Sequence, residues 1–209
     1  GGAAAVLGAF TGLREAGAAA SVTGWLMCTD NMPSGTAYKL GDVLTARDGT
    51  TVEVKNTDAE GRLVMMDAIA LAVEEGVDAI IDIATLTGAA LMALGQLTAP
   101  VLGNDQRVVD LTLAASAVTG EPLWQLPLER KYRPQLDSDV ADLANIGGRY
   151  AGATTAALFL DHFTRKTPWA HLDIAGTMAV DADESWRSKG ATGFGARLLL
   201  ETALTFTKA

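Results

Sequence analysis

The sequence is poor in cysteine, in aromatic residues and in positive charge. Cys28 is the only cysteine among 209 residues, so no disulfide can form within the chain. Aromatic residues make up only 6% of the chain, which disfavours a barrel or sandwich filled with aromatic side chains. The net charge of −9 disfavours binding to nucleic acid or to anionic membranes. These absences predict a protein of a reducing, cytoplasmic compartment that binds cations or small molecules.

Long apolar runs and several catalytic motifs are also missing. The run 77–86 is too short, and too interrupted by aspartate, to cross a bilayer. No basic-then-apolar leader precedes Gly1, which again favours the cytoplasm. The chain has no His-Glu-x-x-His pair, no Gly-x-Ser-x-Gly elbow and no Gly-x-x-x-x-Gly-Lys loop. We therefore interpret His162 and His171 as structural, and exclude histidine-bound zinc, serine hydrolysis and P-loop nucleotide binding.

What is present is an alternation of helix and strand patterns with 49% hydrophobic residues. An Asp48-Gly49 pair between short alternating runs predicts a β-hairpin over 43–54. We predict an α/β fold in one domain (1–209), with a mostly parallel mixed sheet, helices on both faces and one inserted hairpin. The expected helices are 1–15, 63–75, 89–94, 106–118, 150–165 and 193–207, and the expected strands are 21–28, 77–84 (a central strand), 98–102 and 169–175.

Four loops follow the predicted strands, and ligands of such sheets bind at the carboxyl ends of strands. They are 30–35, 56–62, 85–88 and 175–178. The second carries Asp58, Glu60 and Arg62, which would share one side of an extended segment. Two carboxylates and a guanidinium at one point predict a cation site with an anion clamp, and Glu60 has two oxygens with which to bridge two metal ions.

Other interpretations of these charged residues remain open. Asp58 is also suited to cap the following helix, while Glu60 and Arg62 pair on a solvated face. The basic cluster 129–133 is typical of a solvated helix end or a contact between subunits.

The segment 56–63 (NTDAEGRL) resembles the signature of the leucyl aminopeptidase family. Five further segments are similar to that family in the same order, so that the resemblance covers essentially the whole chain: 31–35 (NMPSG), 41–43 (GDV), 84–89 (ATLTGA), 137–143 (DSDVADL) and 169–176 (WAHLDIAG). Several segments in the right order are far more specific than one motif. The resemblance implies a metal-dependent hydrolase that releases N-terminal residues, preferably leucine or other apolar residues, from peptides.

The resemblance also implies roles for particular residues. Asp58 and Glu60 would bind two divalent ions, Mn²⁺ or Zn²⁺ and possibly Mg²⁺, and Arg62 would hold a bicarbonate that accepts a proton from metal-bound water. The peptide would be bound by Thr85, Leu86 and Gly88, and its first side chain by Ala175 and Met178. The family further implies a cytoplasmic homohexamer whose substrates have a free N-terminus.

The chain departs from the family pattern at one place. Two lysines and two metal-binding aspartates of the family precede the Gly-Gly-Ala stretch that opens this sequence, and Lys39 and Lys55 match other positions. We therefore expect weak metal binding and little peptidase activity from these 209 residues alone. Two alternatives are a non-catalytic assembly fragment and a DNA-binding relative that uses Arg130, Lys131 and Arg133.

Overall fold

The computed structural model describes residues 1–208 and has an α/β architecture. A single 3-10 helix, Arg130–Leu136, accompanies the α-helices of this range. The α-helices are α1 (Gly2–Leu13), α2 (Glu60–Glu74), α3 (Gly88–Leu94), α4 (Gln106–Thr119), α5 (Gly152–Phe163) and α6 (Ala196–Thr205). The strands are β1 (Val43–Thr45), β2 (Thr51–Glu53), β3 (Ile80–Ala84), β4 (Ala99–Gly103), β5 (Leu123–Gln125), β6 (Leu143–Ala144), β7 (Trp169–Asp173), β8 (Ala179–Val180) and β9 (Gly190–Ala191).

The main sheet has four strands in the order β3-β7-β4-β5. β7 is parallel to β3 and antiparallel to β4, and β4 is parallel to β5, so the sheet is mixed and mostly parallel. The register pairs Asp82 with His171 and Ala84 with Asp173. The carboxyl ends of β3 and β7 therefore lie side by side at the same end of the sheet.

Alternating residues of the sheet contribute to two hydrophobic cores. Ile80 and Trp169 belong to a core that includes α2 and α5 residues, whereas Ile83 and Leu172 belong to one that includes residues of α1, α4 and α6. Successive side chains of a strand point to opposite faces, so β3, β4 and β7 each contribute to both cores. β7 is buried at all five positions, including His171 and Asp173, because strands pair with it on both sides and a hydrophobic core covers each face.

A second, smaller sheet has the order β1-β2-β6. β1 and β2 are antiparallel around the Asp48-Gly49 turn, and Gly49 has the positive φ of 88° that such a turn requires. β2 then pairs in parallel with β6, so these two strands are not part of the main sheet. This sheet delivers the chain into the loop before α2.

Two sequence predictions are wrong at the level of elements. Residues 21–28 form no strand and are mostly exposed, and Cys28 among them is an exposed free thiol. The predicted central strand is β3, and it lies at an edge of the main sheet formed by the described residues. An apolar β-branched run fits a pleated surface, but its pattern does not specify whether a neighbouring strand pairs with it.

Within residues 1–208, no helix combines the length and the apolar character needed to cross a bilayer.

Candidate active site

The candidate site lies beyond the carboxyl ends of β3 and β7. Residues 85–88 continue from β3, residues 174–178 continue from β7, and the first turn of α2 lies against the loop after β3. A Cβ built on Gly61 would lie 3.1 Å from Leu86 Cδ1, so α2 contacts the loop after β3. Gly1 lies between the two loops. A Cβ atom added to it would be 2.9 Å from Thr85 Cγ2 in the first loop and 3.5 Å from Met178 Cβ in the second.

The predicted extended segment is wrong, because α2 begins at Glu60 and includes Arg62. Asp58 lies before the helix, so the three residues do not share one side at period two. Nor does Asp58 cap the helix: the N-cap position is Ala59, and no side chain accepts a hydrogen bond there. Asp58 thus belongs to the loop before α2, and Glu60 and Arg62 belong to the first turn of that helix.

The two carboxylates differ in exposure and share one neighbour. Asp58 is exposed and Glu60 is half-buried. Burial raises the pKa of Tyr38, and the nearby Glu60 and Asp58 carboxylates raise it further, which places both charges close to the Tyr38 phenol. The Tyr38 hydroxyl donates to the Thr57 carbonyl at 2.8 Å, and Asn31 Nδ2 donates to Glu60 Oε2 at 3.1 Å. Tyr38 and Asn31 thus connect the segment that follows residue 30 to the loop before α2 and to the first residue of that helix.

Arg62 is a buried cation with unsatisfied donors. Its residue is 5% exposed, and neither Nε nor Nη1 has a hydrogen-bond partner. Burial lowers the pKa of Arg62 to about 10, although Asp173 and Glu60 act in the opposite direction. The guanidinium therefore stays charged at neutral pH, and its unpaired N–H groups fit a small anion.

The residues proposed for substrate binding surround the strand ends. Thr85 and Gly88 are exposed, Leu86 and Ala175 are half-buried, and Met178 is 42% exposed. Their exposed atoms leave room for a ligand, whereas the buried Thr87 and Asp173 between them do not face solvent.

A groove of about 780 Å³ runs from this region along the edge of β3 to α1. Glu60, Thr85 and Leu86 line it. Asp58, Arg62 and Gly88 are outside its lining, as are Ala175 and Met178.

The metal ions implied by the resemblance are only partly accommodated. The described part of the chain contains no group of three or more His, Cys, Asp or Glu side chains placed to hold a metal ion. Asp58 and Glu60 therefore do not form a dinuclear centre by themselves, because divalent ions of this kind take several oxygen or nitrogen ligands each. The unsatisfied Arg62 guanidinium, in contrast, fits the implied anion.

Sequence reasoning did not identify Asn145, which is fully buried and holds the loop before α2. Asn145 Oδ1 accepts from the backbone N–H groups of Lys55 at 2.8 Å and Asn56 at 3.1 Å. Its Nδ2 donates to the Asn56 carbonyl at 2.6 Å. Asn56 Oδ1 in turn accepts from the N–H of Asp58 at 2.8 Å. The only signal in the sequence was the polar, glycine-punctuated stretch around Asn145, which does not indicate a partner 89 residues away.

The histidines and lysines weighed from the sequence have other partners. His171 is fully buried in β7, where its Nδ1 contacts Asp82 Oδ1 and its Nε2 has no partner. His162 lies in α5, 3.4 Å from the Thr50 hydroxyl. Lys39 pairs with Asp42 at 2.6 Å, and Lys55 pairs with Glu53 at 3.2 Å.

The basic cluster lies on the 3-10 helix, and two of its three cations pair with carboxylates. Arg130 contacts Asp161 at 2.6 Å, and Arg133 contacts Asp137 at 2.8 Å. These pairs reduce the positive charge that this surface presents.

Comparison with known proteins gives a consistent result over almost the whole chain. Residues 1–200 match the model of the catalytic domain of the cytosol aminopeptidase family. A probable cytosol aminopeptidase of Alkaliphilus metalliredigens is 47% identical over 208 residues, which are 100% of this chain and 42% of that protein.

Similar proteins from other bacteria give comparable figures. A probable cytosol aminopeptidase of Synechococcus sp. (strain JA-3-3Ab) is 50% identical over 98% of this chain and 40% of its own length. One from Syntrophobacter fumaroxidans is 50% identical over 97% of this chain and 40% of its own length. The chain thus spans about two fifths of the length of these curated relatives.

Proposed function

Because this chain belongs to the cytosol aminopeptidase family, we propose that it takes part in the release of N-terminal residues from peptides, with leucine or other apolar residues preferred. The observation that carries this proposal is the buried, unsatisfied Arg62 in the first turn of α2, a turn that lies against the loop after β3. Binding sites of such sheets lie at the carboxyl ends of strands. The geometry therefore supports a site at this position.

In this proposal Arg62 binds an anion, bicarbonate in the simplest case, that accepts a proton during the reaction. The support is the pair of buried N–H donors without a partner. A buried donor that lacks a partner costs about 1–3 kcal/mol, so a bound anion that satisfies it is favoured.

The peptide is proposed to lie across the two loops. Thr85, Leu86 and Gly88 would contact its backbone, and Ala175 with Met178 would contact its first side chain. The half-buried Leu86 and the partly exposed Met178 provide an apolar surface for that side chain.

We propose that the complete enzyme requires two divalent ions, Mn²⁺ or Zn²⁺ and possibly Mg²⁺, and that Asp58 and Glu60 supply part of their ligands. Two carboxylates are too few for two such ions. The remaining ligands would come from outside residues 1–208, in agreement with the two lysines and two aspartates that the resemblance implies.

We further propose that the protein acts in the cytoplasm as a homo-oligomer, a hexamer by resemblance, on peptides with a free N-terminus. The names of the relatives support the location. Exposed apolar side chains such as Met92, Leu97 and Trp124, at 86%, 66% and 62% exposure, support association between copies. Sedimentation of the chain over a range of concentrations tests the oligomer, and a purely monomeric chain would contradict it.

The proposed function is tested by Mn²⁺ binding and by hydrolysis of L-leucine p-nitroanilide. The 209-residue chain should bind Mn²⁺ weakly, and Glu60→Gln should weaken that binding by about tenfold or more, because one carboxylate ligand is lost. Turnover by the chain should be far below that of the full-length Alkaliphilus metalliredigens relative.

A matched control is Glu75→Gln, since Glu75 is an exposed glutamate that follows the opposite end of α2. It should leave Mn²⁺ binding unchanged. Equal effects of the two substitutions would remove Glu60 from the proposed metal site. Turnover equal to that of the full-length relative would show that these residues already contain a complete site.

A further inference from the structure

Asp173, the last residue of β7, has a carboxylate that connects both strand-end loops. The residue is 1% exposed. Its Oδ1 accepts from the N–H groups of Leu86 at 3.1 Å and Thr87 at 3.2 Å, in the loop after β3. The same oxygen accepts from the N–H of Ala175 at 3.2 Å, in the loop after β7.

The other oxygen of Asp173 extends this connection to α3. Asp173 Oδ2 accepts from the Thr87 hydroxyl at 2.6 Å, and the Thr87 oxygen accepts from the N–H of Ala90 at 3.0 Å. Thr87 is thus the N-cap of α3 and also a ligand of the carboxylate. One ionised side chain therefore fixes the start of α3 relative to the ends of two strands.

A buried carboxylate is stable only when its oxygens are satisfied. Four donors satisfy Asp173, and the Arg62 guanidinium lies near enough for Asp173 to influence its pKa. Because the register pairs Ala84 with Asp173, the carboxylate lies where the two parallel strands end together. Any change in the spacing of the two loops would break at least one of these hydrogen bonds.

We propose that Asp173 is a positioning residue that sets the width of the pocket for the first side chain of the substrate. Leu86 and Ala175, whose backbones it holds, are the residues proposed to face the peptide from opposite loops. Without the carboxylate, the loops move apart and an apolar side chain loses its close contacts. This inference rests on the proposed function, which supplies the identity of the ligand. The hydrogen bonds of Asp173 do not depend on it.

The experiment compares, by calorimetry, the binding of leucinamide and glycinamide to a Mn²⁺-supplemented chimera in which this chain replaces the matching segment of the Alkaliphilus metalliredigens relative. Both probes have a free amine, and only leucinamide has an apolar side chain. The preference is the ratio of the leucinamide affinity to the glycinamide affinity. Asp173→Ala should reduce this ratio by about tenfold, a change equal to the loss of one well-formed buried contact. Asp173→Asn keeps an acceptor oxygen for the three N–H groups and should stay within about threefold of the wild-type preference.

The matched control is Asp142→Asn, since Asp142 also accepts from a backbone N–H and a threonine hydroxyl, both of Thr51, at 2.8 and 2.6 Å. It immediately precedes β6 of the small sheet, away from the two loops, so its loss should leave the preference unchanged. A purely structural role for Asp173 predicts that both probes weaken equally, and that result would overturn the proposal. An Asn variant that loses the preference as fully as the Ala variant would assign the effect to charge and would also overturn it. If Asp173→Ala fails to fold, Thr87→Val, which removes the hydroxyl donor to Asp173 Oδ2, takes its place and should reduce the preference in the same direction; an unchanged preference in that variant would overturn the proposal.

Amide hydrogen exchange separates this inference from the proposed function. Asp173→Ala should accelerate exchange at Leu86, Thr87 and Ala175 by about tenfold or more relative to Thr51. If wild type shows no preference for leucinamide, the proposed function fails, and the exchange result still decides the role of Asp173. Uniform acceleration at all four amides would contradict a positioning role.

Discussion

At the scale of single residues, Arg62 shows a conflict between stability and binding. The folded chain buries a charged guanidinium and leaves two of its nitrogen atoms without partners. Asp173 and Glu60 partly offset this cost because they hold the pKa of Arg62 above the value that burial alone would give. Such strain at a functional position is common where a ligand completes the hydrogen bonds.

We predict that Arg62→Met increases the free energy of unfolding by about 1 kcal/mol. Methionine fills a similar volume and removes the unsatisfied donors, whose cost exceeds the lost attraction to Asp173. Urea unfolding of wild type, Arg62→Met and Arg62→Lys measures the effect, and added bicarbonate should stabilise only the wild type. Destabilisation of Arg62→Met by more than about 2 kcal/mol would show that the guanidinium is satisfied in the folded chain.

Asn145 holds the loop before α2 by contacts that no other side chain duplicates among the described residues. We predict that Asn145→Ala lowers the free energy of unfolding by about 2 kcal/mol, because two part-buried backbone N–H groups lose their acceptor. Exchange at Lys55 and Asn56 should accelerate more than exchange at Leu143. The Asn145→Asp variant keeps the acceptor oxygen, so its amides should remain protected; loss of protection in both variants would contradict this account.

At the scale of elements, β3 and β7 are joined by a buried polar pair as well as by backbone hydrogen bonds. His171 Nδ1 contacts Asp82, and Trp169 Nε1 donates to the same carboxylate at 2.6 Å. Burial alone lowers the pKa of His171, but the Asp82 carboxylate raises it more, so the net shift is upward from 6.5.

This shift predicts how the stability of the strand pair depends on pH. A histidine whose pKa is raised on folding stabilises the native state fully below its unfolded pKa, and this contribution is lost as the pH rises through the folded pKa. The free energy of unfolding of wild type, measured in urea, should therefore exceed that of His171→Gln by more at about pH 6 than at about pH 9. An advantage that grows with pH would show that His171 is buried in its neutral form.

The sequence predicts the elements well where periodicity is long. Six helices and the strands 80–84, 99–103 and 169–173 occur within a few residues of their expected positions. The helix α2 starts three residues earlier than expected, because Glu60 and Arg62 continue the helical pattern into a segment that we predicted as extended. The segment 21–28 has strand composition but no strand partner among the described residues, and composition does not encode pairing.

The candidate site was less predictable than the elements around it. The strand-end rule identified the loops in which the site lies, whereas the roles of Leu86 and Ala175 within them are implied by the resemblance to the leucyl aminopeptidase family. The hydrogen bonds of Asp173 and Asn145 could not be predicted, although Asp173 lies in the 169–176 segment, since each has partners about 90 residues away in the chain. Buried hydrogen bonds between distant segments depend on the register of the strands, which the pattern of apolar residues does not specify.

At the scale of the whole molecule, the acidic charge and the arrangement of loops point to one site. The net charge of −9 favours cations as ligands, and two of the carboxylates lie beside Tyr38 at the approach to α2. The chain covers 42% of the Alkaliphilus metalliredigens relative, so its contribution is best measured within a complete enzyme.

The most direct measurement uses a chimera in which this chain replaces the segment of that relative with which it is 47% identical. We predict Mn²⁺-dependent hydrolysis of L-leucine p-nitroanilide, a loss of about a hundredfold or more in kcat for Glu60→Gln, and no more than about a twofold change for Glu75→Gln. A folded chimera without activity, or one in which Glu60→Gln retains full turnover, would contradict the account.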